Sequence, residues 1–153
     1  MIVNTTRFGE LEIESSEIIS FNQGIPGFEL HKNYVLLELE ETPFAYLQST
    51  DDEGLAFVVV DPFIFFKSYE FELPSTAIEE LEITDHEDVI IRSIVTVKEK
   101  IEEATLNLVA PIVVNNKRKS GKQVILNNTK YGTRHSIHFP VVAEGGESNA
   151  GSV

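Results

Sequence analysis

A chain of 153 residues, 42% hydrophobic and 24% charged, has the size and composition of one domain with its own core, which sets disordered and membrane classes aside. Cysteine is absent, so disulfides, thiolate metal sites and thiolate nucleophiles are excluded, and a reducing cytosol is the expected home. The formal net charge of −13 argues against nucleic acid as a direct ligand, because phosphate binding draws on clustered Lys and Arg.

That charge is unevenly placed. Residues 1 to 110 carry 23 acidic and 6 basic side chains, whereas residues 111 to 143 carry 6 basic and no acidic ones. One reading is a solvated acidic surface with a single basic hairpin; the other is a charged face that steers a basic protein partner. MIVNTTRFGELEIES has no basic segment followed by a long apolar run. Nowhere does the chain approach the roughly 18 apolar residues of a spanning helix, so neither export nor membrane insertion is expected.

In chain order, short alternating segments bounded by Gly, Pro, Asn and Asp predict mostly β structure. Ile2 to Thr5 and Leu11 to Ile13 flank Gly9, with Glu10, Glu12 and Glu14 on a wet face, and Ile18 to Phe21 is a third short strand. Tyr34 to Leu39 and Phe44 to Gln48 are parted at Pro43, which lacks the amide proton a central strand requires. Ala56 to Val60 reads as a strand buried on both faces. The bulky run Phe63-Ile64-Phe65-Phe66 cannot all point inward from one strand, so part of it covers an end of the core or stays exposed.

Tyr69 to Leu73 reads as a strand. Pro74 to Leu81 is the one expected helix, with acids in its first turns and Ile78 and Leu81 on one side. Val89 to Val97 is a long strand, Thr105 to Val109 and Ile112 to Val114 follow, and a basic tip at 115–121 turns the chain into Gln123 to Leu126. A last strand is expected near Phe139 to Val142. The Gly- and Ser-rich remainder reads as a disordered tail at 143–153 behind a single domain at 1–142. The fold class is mainly β: a small antiparallel β-barrel-like domain with one short helix.

Catalytic chemistry finds little support. His135 and His138 would lie on opposite faces of an extended segment, poor geometry for one metal. Nucleophile-elbow, phosphate-loop and dinucleotide patterns are absent. No cofactor, metal or small-molecule substrate is therefore expected, although a small-molecule-binding or catalytic barrel with an interior pocket stays open as the alternative. The loop Phe21-Asn22-Gln23-Gly24-Ile25-Pro26-Gly27-Phe28 stands out: its glycines permit positive φ, Pro26 stiffens it, and a phenylalanine anchors each end. It is either a plug for a barrel end or a binding loop.

That F-x-x-G-x-P-G-F loop resembles one in the FliW family, as do Phe44-Ala45-Tyr46-Leu47-Gln48-Ser49, Phe57 to Phe63, Ala104 to Asn115, Gly121 to Leu126 and Tyr131 to His135, in order along nearly the whole chain. The resemblance implies a cytoplasmic, non-enzymatic, β-barrel-like regulator of flagellum biogenesis. It would bind flagellin and, once released, bind and antagonise the RNA-binding translational repressor CsrA, so that flagellin translation rises. With flagellin as an amphipathic helical partner, Phe21, Gly24, Pro26, Gly27 and Phe28 together with Phe63, Phe65 and Phe66 are the candidate contact residues. For the basic CsrA the candidates are the acids Glu38, Glu40, Glu41, Asp51, Asp52 and Glu53.

Overall fold

The computed structural model describes residues 1–97, 99–100, 103–127 and 129–137. The expected strand near Phe139 to Val142, His138 and the tail lie outside them. Among the described residues there are eleven strands and two short α-helices: β1 (Ile2–Thr5), β2 (Gly9–Glu12), β3 (Ile19–Ser20), β4 (Asn33–Glu38), β5 (Phe44–Ser49), β6 (Ala56–Val60), α1 (Pro62–Phe65), α2 (Ser75–Glu80), β7 (Val89–Thr96), β8 (Thr105–Leu106), β9 (Ile112–Asn115), β10 (Ser120–Gln123) and β11 (His135–Ser136).

Strands β3 to β7 pair antiparallel in succession, β7 passes to β9 along Val89–Arg92, β9 forms a hairpin with β10, and β10 meets β3. Seven strands thus close a ring, and a ring with an odd number of strands cannot alternate direction all the way round. The seam is β10 against β3, a parallel contact at Ser120 and Ser20. The barrel is therefore antiparallel at every junction but one. Beyond the ring, Val95 and Thr96 at the end of β7 pair with β8, which in turn pairs with β11, while β1 and β2 form a separate hairpin.

Alternation along the strands sorts side chains into an interior and three outer clusters. Inside lie Ile19, Phe21, Ile25, Tyr34, Leu47 and Val59 with their neighbours. Outside, the β1–β2 hairpin packs Val3 and Ile13 on Val35 of β4, and Ala77 and Leu81 of the α2 segment cover Val113 and Val124. The third cluster gathers Val60, Tyr69, Leu106 and Leu108, with Phe65 and Phe66 against them.

Several expectations need correction. Two helices occur where one was expected: Asp61 accepts from the Phe63 amide at 3.0 Å and Pro62 occupies the first turn, so Asp-Pro starts a helix at the run that a strand could not accommodate. Tyr69 to Leu73 is not a strand. Its polar groups bond across the molecule instead, the Tyr69 hydroxyl donating to the Leu108 carbonyl at 2.7 Å and the Glu70 amide to the Tyr131 hydroxyl at 3.1 Å.

In α2 the first turn carries no acid, and the buried residue is Ala77, next to buried Leu81, while Ile78 is exposed. The strand after the basic tip is Ser120–Gln123, three residues earlier than expected, and β8 is only two residues long because the amides of Leu108 and Val109 donate to the Gly132 carbonyl. Of Ala56 to Val60 only Val59 and Val60 are fully buried, Val59 in the barrel interior and Val60 in the third outer cluster.

Candidate functional site

The loop that follows β3 closes one end of the barrel. Phe21 is wholly buried, edge-on to Tyr34 at 5.3 Å, and its ring lies so close to β10 that a Cβ on Gly121 would come within 2.7 Å of it. Gly24 has φ +72, and a Cβ there would stand 2.6 Å from the Glu29 Cα. Ile25 is buried and pairs with Phe28, whose ring meets Phe57 edge-on at 5.1 Å. The loop is thus a plug in which Phe21 and Gly24 are buried. Its outer rim is different: Pro26 and Gly27 are exposed, Phe28 is 41% exposed and Leu30 is 90% exposed.

The β5–β6 turn lies beside this rim and is rigidly built. Gln48, fully buried on β5, places its Nε2 within 3.0–3.3 Å of the carbonyls of Ser49, Asp52, Glu53 and Leu55. The Ser49 hydroxyl donates to Asp51 Oδ1 at 2.8 Å and accepts from the amides of Asp51 and Asp52. His31 joins the plug to the turn, its Nδ1 3.0 Å from Asp51 Oδ1 and its Nε2 3.6 Å from Asp52 Oδ2. The Ser49 hydroxyl first, and His31 second, hold the Asp51 carboxyl below the usual carboxylate range. Tyr34, behind them, is pushed up to about 12 by burial, with Asp51 and Asp52 adding to the effect.

Two of the expected groups therefore meet. His31 ties the loop that bears exposed Phe28 and Leu30 to the turn that bears Asp51 and Asp52. The other acids do not join them: Glu38 ends β4 and Glu40 and Glu41 lie in the β4–β5 turn, the length of β5 away, roughly 20 Å for six residues. Phe63 and Ile64 are exposed on α1, while Phe65 and Phe66 are half-buried in the outer cluster. Leu30 went unread in the sequence, and Ile64 was read only as part of the bulky run 63–66. The only signal for Leu30 is a lone apolar residue among Glu29, His31 and Lys32.

Among the described residues no three His, Cys, Asp or Glu side chains converge on a metal position, and no helix is long and apolar enough to cross a membrane. His135 accepts from the Gly132 amide at 2.8 Å and stands edge-on to Phe66. In the basic hairpin Arg118 pairs with Glu82 at 2.9 Å and Lys122 with Glu80.

The fold is a small, closed, mainly β barrel whose one end is sealed by the loop after β3. The model of the FliW protein family matches residues 2–137, and the chain belongs to that family. It is 46% identical over 140 residues to the flagellar assembly factor FliW of Geobacillus kaustophilus (strain HTA426), covering 92% of this chain and 96% of that one. It is also 46% identical over 149 residues to the FliW of Bacillus subtilis (strain 168), covering 97% and 99%. A crystal structure of the flagellar assembly factor FliW superposes with a TM-score of 0.84 at 45% identity, covering 89% of this chain and 96% of that one.

Proposed function

We propose that this chain is a cytoplasmic, non-catalytic regulator of flagellum assembly. It binds flagellin and, once flagellin has been exported, binds CsrA and lifts its repression of flagellin translation. The observation that carries this reading is the meeting of Phe28 and Leu30 with the acidic turn 51–53 through His31. An apolar tip supplies anchors for one face of an amphipathic helix. The carboxylates beside it attract a basic RNA-binding protein and lower the potential that RNA needs there.

Both features share one end of the barrel, so a helix seated on the tip covers the acids, which accounts for alternate occupancy. Phe63 and Ile64 on α1 are a second apolar anchor for the longer partner. The test is a pair of titrations by calorimetry, of flagellin monomer and of CsrA into the full chain. Each binds alone, and saturating flagellin suppresses the heat of CsrA binding. Undiminished CsrA binding in the presence of flagellin contradicts the shared surface.

A further inference from the structure

Away from the plug, the barrel interior is not filled. A cavity of about 200 Å³ is walled by buried Leu47, Val59, Ile112 and Val114 and by half-buried Leu36 and Ile90. Its mouth is polar, formed by Glu38, Arg92, Asn116 and Lys119 with Glu17. An apolar void of about 150 Å³ accommodates benzene, so this one accepts a body of about six carbons.

The rim is more cationic than the chain around it. Arg92 donates through Nη1 to the Ile91 carbonyl at 2.8 Å, and its Nη2 stands 3.8 Å from Glu38 Oε2, beyond hydrogen-bond reach. The Glu38 side chain is 70% exposed while that of Arg92 is 22% exposed, so water screens the acid more than the guanidinium. Lys119, held at φ +55, gives its ammonium to the Asn116 amide oxygen at 2.7 Å rather than to a carboxylate. Glu17 is engaged elsewhere, its carboxylate accepting from the Glu14 amide. A half-desolvated guanidinium with unused donors, a second cation beside it and an apolar void beneath are the parts of a carboxylate site.

We propose that the barrel mouth binds a small monocarboxylate with an apolar body of about six carbons, its tail among Leu36, Leu47 and Ile90 and its carboxylate on Arg92 with Lys119 adjacent. This site lies apart from the plugged end and does not depend on the partner reading. The test is a methyl-NMR titration of the full chain with hexanoate, and with 1-hexanol as its uncharged counterpart. Hexanoate shifts the methyl signals of Leu36, Ile90 and Val114. Arg92→Met weakens hexanoate about tenfold or more while leaving 1-hexanol within about twofold.

Ile90→Phe fills the void and abolishes both, and should that variant unfold, Leu36→Phe carries the same test. The proposal is overturned if hexanoate moves no cavity methyl at concentrations on the order of tens of millimolar. It is equally overturned if Arg92→Met binds hexanoate as the parent does, or if a folded, filled variant binds unchanged.

Discussion

At the plugged end of the barrel Phe21, Ile25 and Tyr34 fill the space between the strands, and at the mouth about 200 Å³ is left open between Leu36, Leu47 and Ile90. Both ends are bounded by strands of the same ring. The difference lies in what the connections bring: a loop after β3 that folds back inside, against short turns at 39–43 and 116–119 that stay outside. Filling one end fixes the loop backbone, and the residues on its outer rim are then presented without a large ordering cost on binding. The open end carries no such platform, only a void with a polar lip.

The sharpest way to break this contrast is to empty the plug. Phe21→Ala removes a wholly buried ring packed on Tyr34 and Gly121 and is expected to cost about 3–5 kcal/mol. Ile90→Ala borders space that is already empty and costs about 2 kcal/mol, at the low end for such truncations. Denaturant midpoints at unchanged slope measure both, and equal losses would show that the two ends are packed alike.

Next in size is Gln48→Leu. It leaves the carbonyls that converge on the amide without their donor, with an expected loss of about 2–3 kcal/mol. Because those carbonyls shape the acidic turn, CsrA binding falls as well, while a change at the mouth such as Arg92→Met leaves it unaltered.

Smaller for stability, and larger for function, are changes on the rim. Phe28→Ser and Leu30→Ser alter unfolding free energy by no more than about 1 kcal/mol yet weaken flagellin binding about tenfold or more. Phe65→Ser, whose ring packs on the outer cluster, does the reverse and destabilises first. Loss of flagellin binding by a well-folded Phe65→Ser and not by Leu30→Ser would move the surface to α1.

The smallest effect concerns acid. Asp51 is held below its ordinary range, so its bonds to Ser49 and His31 favour the ionised form. That contribution is complete above the unfolded value of about 3.9 and is lost as pH falls through the lower, folded one. Ser49→Ala therefore narrows the stability difference between neutral and strongly acid pH, read from thermal midpoints. An unchanged difference would mean that the turn is held by Gln48 alone.

Much of the barrel could be read in the chain because its strands alternate or run apolar: β1, β4, β5 and β6 fall within a residue or two of where periodicity puts them. Elements fixed by capping or by long-range partners were harder to read. Asp61-Pro62 is a helix start hidden inside an apolar run, and Tyr69 to Leu73 has a strand's composition but spends its donors on Leu108 and Tyr131, about 40 and 60 positions away. The site was half legible. Glycine and proline spacing marked the loop, but which of its aromatics plug and which protrude depends on Gly121 and Phe57, far along the chain. Charge counting found the acids without showing that β5 separates them into two groups.

The central claim, that the plugged end is a regulatory protein-binding surface, is tested most directly with CsrA already holding labelled flagellin-leader RNA. Adding the chain releases RNA, added flagellin monomer restores it, and at equal CsrA occupancy Asp51→Asn with Asp52→Asn and Glu53→Gln releases less. RNA that stays bound with the chain saturating CsrA, or release that neither flagellin nor the triple substitution alters, would contradict the account.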